Sequence, residues 1–286
     1  MLLPLIVIKY KKIVRYPFFL RIIYMRGEKM TKIPDGYQNE FLFVLEFNNK
    51  KVKELNPMLR EVIDDLFPKA NEDDIIKSWR NHINNQKADI LVKINEQIKS
   101  ISIKKGSRNS VHVESIETFK ILLRELGIKE KTIYDYELFH YGVDKFNYKK
   151  VLTSTEFYKK NPRTIRKINK SFSTINVDKI TDRFILCGNN SEYRVDGLIH
   201  GTPNDFLWIN ANDVLKIVRN SIDKESNSVH IGCLYIQPMN RCINKNSKYE
   251  WCKDYIQVKW YSLFDDIIKY KNDNLLKKTI KNKNML

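Results

Sequence analysis

Between Ala88 and Lys104 the chain alternates in a way that few folds accommodate. Ala88-Asp89-Ile90-Leu91-Val92-Lys93-Ile94 is rich in β-formers, Asn95-Glu96 suits a tight turn, and Ile98 to Lys104 alternates Ile98, Ser100, Ser102 with Lys99, Ile101, Ile103. Two such runs around a short polar turn make a β-hairpin. In an antiparallel pair the start of the first strand lies beside the end of the second. Asp89 and Lys104, fifteen positions apart, are thereby brought together. Side chains alternate between faces, so Ser102 and Lys104 share one. A carboxylate and an ammonium at one end of a hairpin are often just a solvated pair. Here they are followed by Lys105, Gly106, Ser107 and Arg108, a loop able to contact phosphates through cations and backbone donors. Together they suit metal-assisted phosphodiester hydrolysis. The carboxylate binds a hard cation such as Mg²⁺ (or Mn²⁺ in its place), and the lysine orients water and offsets phosphate charge.

Asp89 and Lys104 resemble the Asp and Lys of the PD-(D/E)XK nuclease superfamily, which includes many type II restriction endonucleases. Ala88 stands where the motif has proline, and Ser102-Ile103-Lys104 replaces its acidic residue by Ser102. Some restriction endonucleases of the superfamily with S-x-K take the missing Glu from the following helix. The resemblance therefore implies a restriction-endonuclease-like α/β (α+β) core, a mixed central sheet flanked by helices. It implies a Mg²⁺-dependent endonuclease of double-stranded DNA in which Asp89, a relocated Glu and the Ile103 carbonyl hold metal, and Lys104 assists water. Two glutamates are candidates. Glu117 lies thirteen residues after Lys104, the better spacing; Glu114, ten after it, falls in the first turn of an expected helix, beside His112. Glu40, on an amphipathic helix, is a candidate accessory acid. A homodimer is compatible with the resemblance.

The rest of the chain reads as helices at 36–48, Pro57–Leu66 and 73–84, and as a helix taking in Val113, Ile116, Phe119, Leu122, Leu123 and Leu126 before Gly127. Further helices are expected at 155–170, 212–219 and 264–270, and strands at 183–187, 193–199, 206–209, 229–236 and 255–261. A nuclease core at 30–150 would precede a second α+β lobe at 151–270. In that lobe Gln237, Arg241, Lys245 and Lys259 are candidate DNA contacts, because amides and guanidiniums read base edges. His112 is a candidate phosphate contact, and Asp196 with His200 a second acid–imidazole pair.

Charge agrees with a polyanionic partner: 51 Lys+Arg against 34 Asp+Glu give +17. Much of the excess sits at the ends, with seven Lys/Arg and one Glu in the first thirty residues and six Lys and one Asp in the last twenty. Residues 271–286 read as a basic tail. Residues 1–29 read as upstream DNA translated ahead of a true start at Met30, since Arg26-Gly27-Glu28 can encode a purine-rich ribosome-binding sequence. The apolar runs there are shorter than the roughly 18–20 residues that cross a bilayer. Four cysteines without C-x-x-C spacing point to reduced thiols in a cytoplasmic protein rather than to zinc. The rival to a nuclease is a catalytically inactive DNA-binding or assembly protein that keeps the fold, with Ser102 as its best argument. A nuclease acting on RNA or structured nucleic acid differs only in substrate.

Overall fold

The computed structural model describes residues 35–83, 86–106, 109–144, 151–189, 194–221, 228–239 and 247–283. The chain divides into two units, Met1–Gln38 and Asn39–Leu286. Helix α1 (Asp35–Phe47) is followed by α2 (Pro57–Leu66). The second is bounded as expected: Asn56 accepts the Leu59 N–H at 2.9 Å, and Pro57 takes the first helical position, where no N–H is needed. Strands β1 (Ile76–Arg80), β2 (Ile90–Ile94), β3 (Gln97–Lys104) and β4 (Asn109–Ser115) come next. Then follow α3 (Ile116–Glu125), α4 (Glu130–Tyr141), α5 (Ser154–Lys160), α6 (Pro162–Phe172) and α7 (Val177–Thr181). Strands β5 (Gly197–Thr202) and β6 (Asp205–Asn210) lead into α8 (Ala211–Asn220). The chain then runs through β7 (His230–Ile231), β8 (Leu234–Pro238), β9 (Tyr255–Trp260) and α9 (Leu263–Lys283).

The expected α+β class, with a mixed central sheet flanked by helices, is what the chain forms. The central sheet has the order β1-β2-β3-β5-β6, with β3 and β5 parallel and every other pair antiparallel. One face packs on α1 and α2: Phe43, Phe47, Leu59 and Ile63 meet Ile76, Val92, Ile101 and Trp208. The other face contributes Leu91, Leu198 and Ile209 to a core shared with α3 to α8 and with a second, antiparallel sheet, β4-β9-β8-β7. At Gly197 the Trp208 ring lies so close that an added Cβ would collide with it. The hairpin turn needs Asn95 in the left-handed region (φ 53°), which Asn tolerates better than most residues.

Several expectations are corrected. Residues 73–84 are not a helix; Ile76 and Ser78 are buried while Lys77 is exposed, the period of strand β1. The wholly apolar run Phe184-Ile185-Leu186 is helical, not extended, because an unbroken buried run carries no period. The helix expected at 155–170 is two, since Asn161-Pro162 interrupts it. Position 150 does not separate two lobes: β3 pairs with β5 and β4 with β9, so both sheets draw strands from either side of it. Residues 271–283 of the expected tail continue α9.

Candidate functional site

The hairpin brings Asp89, Ser102, Ile103 and Lys104 together. Asp89 sits just before β2, anchored as its N–H donates to the Ile101 carbonyl. Its Oδ2 accepts three hydrogen bonds: from the Ile103 N–H at 2.5 Å, the Ser102 hydroxyl at 2.9 Å and the Lys104 ammonium at 3.3 Å. Among the described residues Oδ1 accepts none. Ser102 is buried, whereas Asp89 and Lys104 both remain partly open to solvent. The carboxylate is thus fixed on one side and available on the other.

Glu40 reaches the same neighbourhood from α1. Arg80 of β1 donates to Glu40 Oε2 at 2.9 Å. Burial raises the Glu40 carboxyl above its usual range, and the negative charge of Asp89 raises it further, with Arg80 and Lys104 opposing. The two carboxylates feel each other's charge and are the candidate ligands for a hard cation. Mg²⁺ takes one or two carboxylates and completes its shell with water and phosphate oxygens. No group of three or more His, Cys, Asp or Glu side chains converges among the described residues.

The relocated glutamate is not where a helix would put it. Glu114 lies on β4, and α3 begins only at Ile116, with Ser115 accepting the Thr118 N–H at 3.0 Å. The Glu114 side chain is fully buried, accepts from Arg183 at 2.8 Å and faces His112 Nε2 at 3.2 Å. Burial alone would raise its carboxyl, but His112 and Arg183 outweigh that and hold it below the usual range. Glu117, in the first turn of α3, is exposed and pairs with Lys120 at 2.9 Å. Neither glutamate joins Asp89 in a common donor set. His112 is buried and stacked on Phe184, with ring centroids 5.0 Å apart, so it presents no surface to a phosphate.

Sequence reasoning missed Lys87, whose ammonium donates to the Val111 carbonyl at 2.5 Å and bonds His112 Nδ1 at 2.8 Å. Its position two residues before Asp89, hence on the same side of an extended chain, was the available signal. Asp196 and His200 do not pair. Asp196 accepts from Ser100 and Lys99, while His200 Nε2 lies 2.9 Å from the Gly106 carbonyl, at the loop that leaves β3. Lys105 is exposed beside that loop. On the second sheet Gln237 and Lys259 lie on the outward-alternating positions of β8 and β9. Ser107, Arg108, Arg241 and Lys245 lie outside the described residues, as does the segment 1–29. Cys187, Cys233 and Cys252 are free thiols, and Cys233 is pushed up to about 12 by burial. Among the described residues no helix is long and apolar enough to cross a membrane.

Neither a family model nor a curated protein sequence matches the chain. A crystal structure of the restriction endonuclease MspI in complex with its cognate DNA aligns with it at a TM-score of 0.49 and 14% sequence identity. The alignment covers 77% of this chain and 87% of that one.

Proposed function

We propose that the chain is a metal-dependent endonuclease of restriction type acting on double-stranded DNA. The observation that carries this reading is the Asp89 carboxylate, held on one oxygen by Ser102, Ile103 and Lys104 at the open end of the hairpin. Glu40 stands within its electrostatic reach. Asp89 and Glu40 would hold Mg²⁺, or Mn²⁺ in its place, with the Ile103 carbonyl as the backbone ligand that the superfamily resemblance implies. A bound cation would supply Lewis-acid stabilisation of the phosphate and of the departing oxygen. Lys104 orients the attacking water and offsets negative charge developing on phosphorus-bound oxygens. As the water oxygen bonds to phosphorus it releases a proton to solvent, while the bond to the leaving ester oxygen breaks and that oxygen takes up a proton from solvent water. Ser102, where the superfamily motif carries an acid, acts as a hydrogen-bond donor that keeps Asp89 in one rotamer. Glu114, paired with Arg183, serves as a buried counter-charge rather than a metal ligand.

The test is cleavage of plasmid and phage DNA with Mg²⁺, using Asp89→Asn and Lys104→Ala as controls. Mg²⁺-dependent cuts by the native chain, absent in both variants, are expected. A second reading is favoured by the serine at position 102 and the absence of a three-acid group among the described residues. In that reading the protein binds DNA without cutting it. Salt-sensitive duplex binding with no cleavage of any duplex, RNA or branched substrate would establish it instead.

A further inference from the structure

The second sheet buries one of its two faces. Ile236, Ile256, Val258 and Trp260 belong to the core, so their neighbours along β8 and β9 point the other way. Those neighbours include Tyr235, Gln237, Gln257 and Lys259, all partly open to solvent. The strand register sets them in a block, with Tyr235 opposite Lys259 and Gln237 opposite Gln257. Facing residues on paired strands stand about 5 Å apart, and successive residues on one face about 7 Å apart. Two amides and an ammonium thus share a patch about two base-pair steps long.

Each amide is held by one atom and offers the other. Gln257 Nε2 donates to the Ser110 hydroxyl of β4 at 3.1 Å, which leaves Oε1 as an acceptor. Gln237 Oε1 faces the Tyr261 hydroxyl at 3.5 Å, which leaves Nε2 as a donor. The Tyr261 ring is itself set edge-on against Tyr235, with centroids 5.3 Å apart. Lys259 pairs with no carboxylate among the described residues. A donor, an acceptor and a cation side by side match what a duplex displays in its major groove. Adenine shows the N7 acceptor beside its N6 amine, and guanine shows N7 and O6 as acceptors.

The patch is tied to the hairpin that carries Asp89. Ser110 follows Lys104 by six residues, at most about 20 Å of chain and so about six base pairs of duplex. Asn109 Nδ2 lies 3.5 Å from His200 Nε2, and His200 pairs with Lys104 between β5 and β3.

We propose that this face, through Gln237, Gln257 and Lys259, reads base edges in the major groove of duplex DNA and so sets the sequence at which the Asp89 site acts. The inference rests on the nuclease reading for its substrate and adds to it the determinant of specificity.

The test reads sequence preference without chemistry. The full chain is mixed in Ca²⁺ with a library of DNA duplexes whose central segment is randomised, and the bound molecules are sequenced. The native chain should enrich one short motif. Gln237→Ala, Gln257→Ala and Lys259→Ala, and the shape-keeping Gln237→Met, Gln257→Met and Lys259→Met, are selected in parallel, with folding checked by circular dichroism. Each folded variant should lose about five- to tenfold of discrimination at one or two adjacent base pairs of the motif and keep the native preference elsewhere. Folded variants that enrich the native motif with native discrimination overturn the proposal. So does a native chain that binds every duplex equally, or prefers single strands to any duplex. Selection needs no cleavage, so a chain that enriches a motif yet cuts no DNA defeats the nuclease reading and leaves the reading face standing. A chain that cuts DNA while its variants keep the native motif defeats the face alone.

Discussion

Glu114 is a carboxylate with no exposed side-chain surface, and its stabilising partners define how the protein should respond to acid. Its folded-state pKa lies below the unfolded value. The stability it contributes is therefore fully present above the ordinary carboxylate range, about 4.3 for a free Glu, and is lost as pH falls through the lower folded value. Glu114→Gln is expected to cost about 3 kcal/mol near neutrality, since it leaves Arg183 without its counter-charge. The gap between native and variant should begin to narrow as pH falls below about 4.3, the ordinary value of a free Glu; urea melts at pH 7, 5 and 3 would show a smaller gap at pH 3, and a constant gap would contradict the pairing. Ser102→Ala probes the other acid of interest. Asp89 keeps two of its three donors, so a loss of about 1 kcal/mol in fixing the carboxylate is expected, roughly a fivefold fall in cleavage rate. Asp89→Asn should abolish cleavage altogether while leaving duplex binding measurable by fluorescence anisotropy.

At the scale of elements, the border between β4 and α3 rests on Ser115. Replacing it with alanine removes the acceptor for the Thr118 N–H and should cost about 1 kcal/mol, read as a lowered thermal midpoint with the strand pairing of β4 unchanged. The same border explains where sequence reasoning succeeded and failed. Pro57–Leu66 and the β2–β3 hairpin were legible because their signals are local: a cap with proline in one, alternation around Asn95-Glu96 in the other. Asp89, Ser102 and Lys104 were legible for the same reason, since one hairpin joins them. Val113, however, falls at helical spacing from Ile116 and so concealed the end of a strand. That strand exists because β9 pairs with it about 150 residues later along the chain, with Glu114 opposite Ile256. Arg183, the partner that claims Glu114, is 69 residues away in sequence. Contacts of that separation leave no local trace, which is why the relocated acid was placed on a helix and Lys87 was overlooked.

At the scale of the molecule, both sheets draw on one apolar core that includes Leu91, Val111, Phe119, Leu198, Ile236 and Trp260. A chain ended at position 150 should therefore not fold, because β3 would lose β5 and β4 would lose β9. Amide-exchange or near-ultraviolet spectra of a 30–150 fragment should show no fixed tertiary packing; native-like spectra would argue for an independent half. For the intact chain, tryptophan fluorescence and far-ultraviolet dichroism should report one coincident thermal transition. The parallel pairing of β3 with β5 also has a meaning in time. During synthesis the hairpin bearing Asp89 and Lys104 leaves the ribosome with one edge bare, and its neighbour, Gly197–Thr202, follows only after residues 105–196. At about 5–20 residues per second, that interval is of the order of ten seconds. A nascent chain thus carries Asp89 and Lys104 already joined in the hairpin, with the bare edge of β3 exposed for seconds before β5 can pair with it.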